Sequence, residues 1–389
     1  MILIERLKLL NLLSFGPAGI DLELRDLNVL IGTNGSGKTN FIEGLGLLTA
    51  IPRDLNEKIR EAGGVSDLFW LGRGQTETTA VIEAFTKCPI WTLGVLKHLV
   101  KLRMAGQHYV IDEEEIVDAV PCPGKEKAKT YYSSLNGAGF FYSEQRQSQP
   151  QNVDRHQSIL AQRWDPAKFK EITYLFDHYR ESILIYRDWT FGKDSPCRSP
   201  QRTDLRTDRL EFNGRNLVLV LNRLRLDSAA KAKLIEHMRD LLEGLVDFEI
   251  KIEGGTARLF LDEGKFLVPS ERLSDGTLRY LCLLAILLDP KPWPVICIDE
   301  PELGLHPDLV VKIAKLLIEA SERTQIIVTT HSDILVDSLS HRPEDVVICE
   351  RDENGSHMRR LDKKSLKKWL KEYSLGDLWS SGQIGGNRW

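Results

Sequence analysis

No apolar run in this sequence reaches the roughly 18 residues that a transmembrane helix needs, so no membrane span is expected. Residues 1–13 are apolar, but Glu5, Arg6 and Lys8 interrupt them. They lack the charged-then-apolar layout and small-residue cleavage site of a signal peptide. Cysteine is sparse: six residues, none in a C-x-x-C pair, with Cys282 and Cys297 inside apolar runs. That spacing argues against a zinc site or a disulfide framework and predicts a reducing, cytoplasmic setting. Long heptads and internal repeats are also missing, which excludes an extended coiled-coil arm. Basic charge is not in excess either, with 52 Lys and Arg against 56 Asp and Glu. Any nucleic-acid surface must therefore be a local patch. Apolar residues are not lacking: 42% of the chain is hydrophobic, enough for a sizeable core.

The most informative stretch is 32–39, Gly32-Thr33-Asn34-Gly35-Ser36-Gly37-Lys38-Thr39. An apolar strand over 27–31 runs into it, and 40–50 continues as a helix. Strand, glycine-rich loop and helix together are the context of a P-loop. The glycines allow backbone amides to turn toward phosphate oxygens, and the helix N-terminus adds partial positive charge there. In this reading Gly32 to Lys38, with Thr39 and Asn40, bind ATP. Lys38 reaches the β- and γ-phosphates, and the Thr39 hydroxyl ligates Mg2+.

Two later strands end in chemistry. The strand over 295–298 delivers Asp299 and Glu300. Asp299 is the expected Mg2+ ligand and Glu300 the expected general base for the attacking water. The strand over 326–328 is followed by Thr329-Thr330-His331-Ser332, which makes His331 a candidate γ-phosphate contact. Between these and the P-loop, Leu273-Ser274-Asp275-Gly276-Thr277 precedes a helix over 276–288, with Ser274 suited to cap it.

P-loop, Leu-Ser-x-Gly, Asp299-Glu300-Pro301 and His331 stand in the order of ATP-binding-cassette (ABC) ATPases. The sequence resembles their non-transporter branch: SMC proteins, RecF-like ATPases and the ATPase part of OLD-type proteins. Asn34, Asn40 and the stretch Pro301-Glu302-Leu303-Gly304-Leu305-His306-Pro307 carry that resemblance. The tail, with Gly376-Asp377-Leu378-Trp379 and Gly385-Gly386-Asn387-Arg388-Trp389, is similar to that of stand-alone bacterial ATPases of this length. The resemblance covers 1–50 and 265–389, and more weakly 186–189 and 216–224. It implies an α/β P-loop NTPase fold, an ABC-ATPase head with a mixed β-sheet and an inserted helical lobe. The head is expected in two parts, 1–89 and 251–389, around an α-rich insert over 90–250. It also implies a homodimer closing on ATP, in which Ser274, Asp275 and Gly276 of one subunit complete the site of the other.

The insert is too short for an SMC arm, and no Toprim-like nuclease domain follows the head in this sequence. A separate nuclease or effector protein is therefore the expected partner. Two basic stretches are candidates for double-stranded DNA or partner contact. One is a helix over 363–373 carrying Lys363, Lys364, Lys367 and Lys368; the other is the arginine-rich loop over 198–225. The alternative to a DNA-responsive ATPase is a nucleotide-gated scaffold that holds and releases a toxic partner. Gln75 and Gln162 are candidates for the glutamine that senses nucleotide, and Phe15 for stacking on adenine.

Overall fold

The computed structural model describes residues 3–70, 72, 79–88, 94–121, 124, 126–142, 149–162 and 164–386. Its centre is a six-stranded sheet in the order Ile183–Tyr186, Val295–Asp299, Gln325–Thr330, Leu27–Gly32, Val346–Asp352, Gly355–Arg360. The first five strands are parallel and the last closes an antiparallel hairpin. Leu27–Gly32 and Gln325–Thr330 are buried along their whole length. That is why they read as mainly apolar runs, interrupted by Asn28 in one and flanked by Gln325 and Thr329 in the other, rather than as alternating ones.

Alternate residues of these strands feed two cores. Val295, Cys297, Ile327 and Leu30 point toward the helix Lys38–Ala50 and an antiparallel sheet. Ile296, Ile298, Val328, Val29 and Ile31 point toward the helices Asp275–Leu287 and Pro307–Ser321. The helix Lys38–Ala50 is buried almost all round. It passes so close to the strand Ile4–Leu10 that a Cβ at Gly44 would lie 2.5 Å from the Leu9 side chain.

The antiparallel sheet has eight strands, ordered Ile20–Glu23, Ile4–Leu10, Thr79–Lys87, Val95–Ala105, His108–Asp118, Thr130–Leu135, Ala138–Phe141, Gln151–Asn152. This corrects the expected α-rich insert over 90–250. Its first part is strand, and helix is confined to Lys170–Glu181, Leu217–Leu224 and Ser228–Leu241. The cause is a two-residue alternation along Val95–Ala105, where Leu96, His98, Val100 and Leu102 turn inward. The acidic run 112–115 lies inside the next strand because cations face it. Lys97 pairs with Glu115 at 3.2 Å and Arg103 with Asp112 at 2.6 Å, while Glu114 is buried against His98 at 2.9 Å.

A smaller sheet holds Gln201–Arg202, Asp247–Glu253, Thr256–Asp262 and Leu267–Pro269. Among the described residues no helix is long and apolar enough to cross a membrane.

The basic segment at 363–373 is not one helix. A single turn, Lys363–Leu366, is capped by Asp362 and gives way to the 3-10 turn Trp369–Lys371. Lysines 363/367, 364/368 and 367/371 stand four residues apart, a like-charge spacing that destabilises a continuous helix.

Candidate functional site

The strands Val295–Asp299, Gln325–Thr330 and Leu27–Gly32 are direct neighbours and parallel. Their C-terminal ends therefore open on one edge of the sheet, where ligands of open α/β sheets bind. The glycine loop leaves the third strand with Gly35 at φ 76° and Gly37 at φ 103°, a region costly for other residues. A Cβ at Gly37 would also lie 2.5 Å from the Ser356 hydroxyl.

Lys38 is folded into the loop, its Nζ donating to the Gly32 and Thr33 carbonyls at 2.9 Å each. Burial pushes its ammonium down, and Glu300, Asp299 and Glu302 pull it back up. Ser36 is buried, and its hydroxyl has no hydrogen-bond partner among the described residues. The helix Lys38–Ala50 has neither a side-chain cap nor an acid in its first turn, so its first amides stay available to an anion. Asn34, Gly35 and Thr39 are exposed, and Thr33 and Asn40 half-buried. A buried orphan hydroxyl, a lysine held by two carbonyls and an uncapped helix start together fit a polyphosphate group.

Asp299 pairs in register with Thr329, whose hydroxyl donates to Asp299 Oδ1. The second carboxylate oxygen and the exposed Thr39 hydroxyl are the oxygen donors suited to Mg2+, which takes few protein ligands and keeps waters. Glu300 sits at φ 47°, left-handed for a non-glycine residue. It is held from both sides. Its N–H donates to Thr329 O at 3.2 Å and Thr329 Oγ1 at 3.1 Å, and its carbonyl accepts from Arg279 Nη1 at 3.1 Å.

His331 Nε2 lies 3.4 Å from Glu300 Oε1. Burial, together with nearby Lys38, lowers the tendency of His331 to protonate. Glu302 fixes the backbone of His331: its Oε1 accepts from the Thr330 hydroxyl at 2.6 Å and from His331 N at 2.9 Å. Burial pushes the Glu302 carboxyl up.

The structure brings Lys38, Asp299, Glu300 and His331 to one edge. Ser274, Asp275 and Gly276 are bound elsewhere. Ser274 Oγ caps the helix Asp275–Leu287, accepting from Thr277 N at 3.1 Å. Ser274 and Asp275 are exposed. Arg198 straps this turn, donating to the Leu273 carbonyl, to the Asp275 carboxylate and to Glu271 O at 3.4 Å.

Three sequence expectations are corrected. Phe15 is fully buried, so neither of its faces is open to a base. The Gln162 amide is occupied, accepting from Asp154 N and donating to Asp154 O and Gln157 O; Gln75 lies outside the described residues. The arginine-rich loop is a salt-bridged one. Arg202 and Arg206 pair with Asp204 and Asp208 at 2.5 Å, Arg223 with Asp289 at 2.5 Å, Arg215 with Glu211 and Arg198 with Asp275. In the tail segment Lys363, Lys364, Lys367 and Lys368 are exposed. Arg360 instead turns inward, donating to the Glu344 and Glu23 carbonyls at 3.0 and 2.6 Å.

Sequence reasoning missed Arg279, Arg198 and Glu302. Arg279 carried a readable signal: it is the one charge between Leu278 and Leu288 in an otherwise apolar helix.

Comparison with known proteins places this arrangement. A family described as "AAA domain, putative AbiEii toxin, Type IV TA system" matches residues 128–337, which take in Ser274, Asp299, Glu300 and His331. The Old nuclease of Escherichia phage P2 is 26% identical over 182 residues, covering 42% of this chain and 30% of that protein. The chain thus spans less than a third of that relative.

Solved SMC heads share the fold. An Smc head bound to the C-winged helix domain of ScpA superimposes with TM-score 0.59 at 16% identity, over 93% of this chain and 99% of that one. An Smc head from Pyrococcus furiosus, with an extended coiled coil and the C-terminal domain of ScpA, gives 0.57 at 17% identity over 96% and 99%. The chain belongs to this AAA-domain family, and its fold is that of the SMC heads.

Proposed function

We propose that the chain hydrolyses ATP to ADP and phosphate, and that two copies close on ATP as a homodimer. The observation that carries this is the meeting of Lys38, Asp299, Glu300 and His331 at the ends of three adjacent parallel strands. Lys38 and the amides from Gly32 to Thr39, with Asn40 beside them, hold the phosphates and stabilise developing charge. Glu300 takes the proton of the attacking water, and neutral His331 orients it. Thr39 and Asp299 would hold Mg2+, which when bound would supply positive charge to offset that of the phosphates. Exposed Ser274, presented by the Arg198 strap, reaches the partner's γ-phosphate.

The site is tested by phosphate release and ATP binding. Lys38→Ala should lose both. Glu300→Gln should bind ATP, turn it over slowly and accumulate as dimer. A Lys38→Ala chain with normal hydrolysis contradicts the assignment.

In the cell, the reading is an ATPase of DNA maintenance or anti-phage defence that signals to a separate nuclease or effector. The likeness to Old nuclease supports it, as does the exposed lysine segment. Stimulation of hydrolysis by linear double-stranded DNA at low salt, lost when Lys363, Lys364, Lys367 and Lys368 are neutralised, is the expected result. A second reading, a nucleotide-gated scaffold that restrains a toxic partner, draws support from the toxin–antitoxin description of the family. Basal hydrolysis indifferent to DNA favours that one.

A further inference from the structure

The lysine segment carries more than charge. Trp369 and Tyr373 are 47% and 49% exposed, far more than aromatic side chains with a packing role. Their ring centroids are 6.2 Å apart, so the two form one surface cluster. Lys367, Lys368 and Lys371 interleave with them and are exposed. Lys364, Lys367, Lys368 and Lys371 make no ion pair among the described residues, and Lys363 is only 3.8 Å from Glu344. Beside the lysines opens a cavity of about 780 Å³, lined by Arg25, Arg360, Lys363, Lys364 and Lys367 and by two acids, Glu344 and Asp362. Positive charge, exposed ring faces and a concave wall thus occupy one short segment.

We propose that this segment binds single-stranded nucleic acid, with bases stacked on Trp369 and Tyr373 and phosphates on the lysines. Lysines alone suit any polyanion. Exposed rings add binding energy only with a ligand that offers flat faces. Duplex DNA hides its base faces within the stack, whereas unpaired strands and frayed ends expose them. The proposal deepens the nucleic-acid reading of Lys363 to Lys368 and rests on it for the sign of the ligand. It adds unpaired strands and frayed duplex ends to the ligands of that reading.

The test is fluorescence anisotropy on the full chain with labelled oligothymidylate of about 20 nucleotides, longer than the ~4–16-nucleotide site of a typical single-strand-binding fold. A blunt duplex and polyglutamate serve as competitors. Trp369→Ala and Tyr373→Ala should each weaken oligothymidylate binding about 5- to 150-fold, the range that ~1–3 kcal/mol of stacking per base implies. Trp369→Phe should recover much of the loss, which separates stacking from misfolding. Duplex affinity should be indifferent to both aromatic changes. Neutralising Lys364, Lys367 and Lys368 should flatten the salt dependence by about 0.7 in log–log slope per lysine on single strands.

Unchanged oligothymidylate binding in both aromatic variants overturns the proposal while leaving a duplex reading intact. Polyglutamate competing as well as oligothymidylate at equal charge also overturns it, in favour of an acidic protein partner. If neither nucleic acid binds at low salt, the proposal and the nucleic-acid reading fall together.

Discussion

Arg279 links two parts of the site that sequence places far apart. It stands on the helix that Ser274 caps, yet its Nη1 holds the Glu300 carbonyl at 3.1 Å. The guanidinium lies 5.7 and 5.3 Å from the rings of Trp189 and Phe191, and the residue as a whole is buried. Burial pushes its pKa down, and among the described residues no carboxylate is hydrogen-bonded to it. Glu300 is held at φ 47°, a conformation that costs a non-glycine residue about 1–2 kcal/mol. A hydrogen bond from a charged donor is worth about 1.5–3 kcal/mol net, enough to offset that strain.

Arg279→Met keeps the stem and removes the donor, so Glu300 is freed to relax and its carboxylate leaves its place beside His331. The expected loss in kcat is about ten- to hundred-fold, since 1.36 kcal/mol is one decade. ATP affinity should hold, because Lys38 and the loop are untouched. The assay is steady-state phosphate release in a double-mutant cycle with Glu300→Gln. Arg279→Met should add little once Glu300 is already Gln. Fully additive losses, or weakened ATP binding at unchanged kcat, would refute the coupling.

Other expectations follow from neighbouring contacts. Glu302→Ala orphans the hydroxyl of buried Thr330, at about 1–3 kcal/mol if left unsatisfied, and releases the exposed His331 N–H to water. It should lower the melting temperature, while Glu302→Gln keeps an accepting oxygen and should melt close to the parent. His331 has its pKa depressed in the fold by burial and by Lys38. Protonation is therefore resisted until pH falls below the ordinary histidine value. kcat should stay level down to about pH 6.5 and decline only below it, and His331→Gln should remove that histidine contribution to the acid limb. Arg198→Ala should impair ATP-dependent dimerisation more than ATP binding, because the strap holds Leu273 and Asp275 on either side of exposed Ser274.

The site was legible where local chemistry declares itself. A glycine loop between a buried strand and a helix has few other uses, and Asp299, Glu300 and His331 follow apolar runs of the kind a doubly covered parallel sheet favours. The long antiparallel strands were harder to see. In 95–118 the inward positions include His98 and Glu114, which satisfy each other in the core. Polar residues there hide the alternation that marks a half-buried strand. The segment after Asp362 read as a helix because lysine favours helices one residue at a time, while repulsion four residues apart acts only on the assembled turn. Phe15 followed from position alone, and its burial comes from a core assembled by segments distant in sequence. Arg279 and Glu302 bond backbone atoms of residues remote in sequence, and no spacing rule announces such bonds.

The account's central claim is a site that one subunit opens and another completes. Its most direct measurement mixes two inactive chains, Lys38→Ala, which lacks nucleotide binding but keeps Ser274, and Ser274→Arg, which keeps the P-loop but lacks the serine. Each alone should be nearly silent in phosphate release. Mixed at equal amounts, half the two-fold dimers carry one intact composite site, so about a quarter of wild-type turnover should return. A mixture as silent as its components would contradict completion across the dimer.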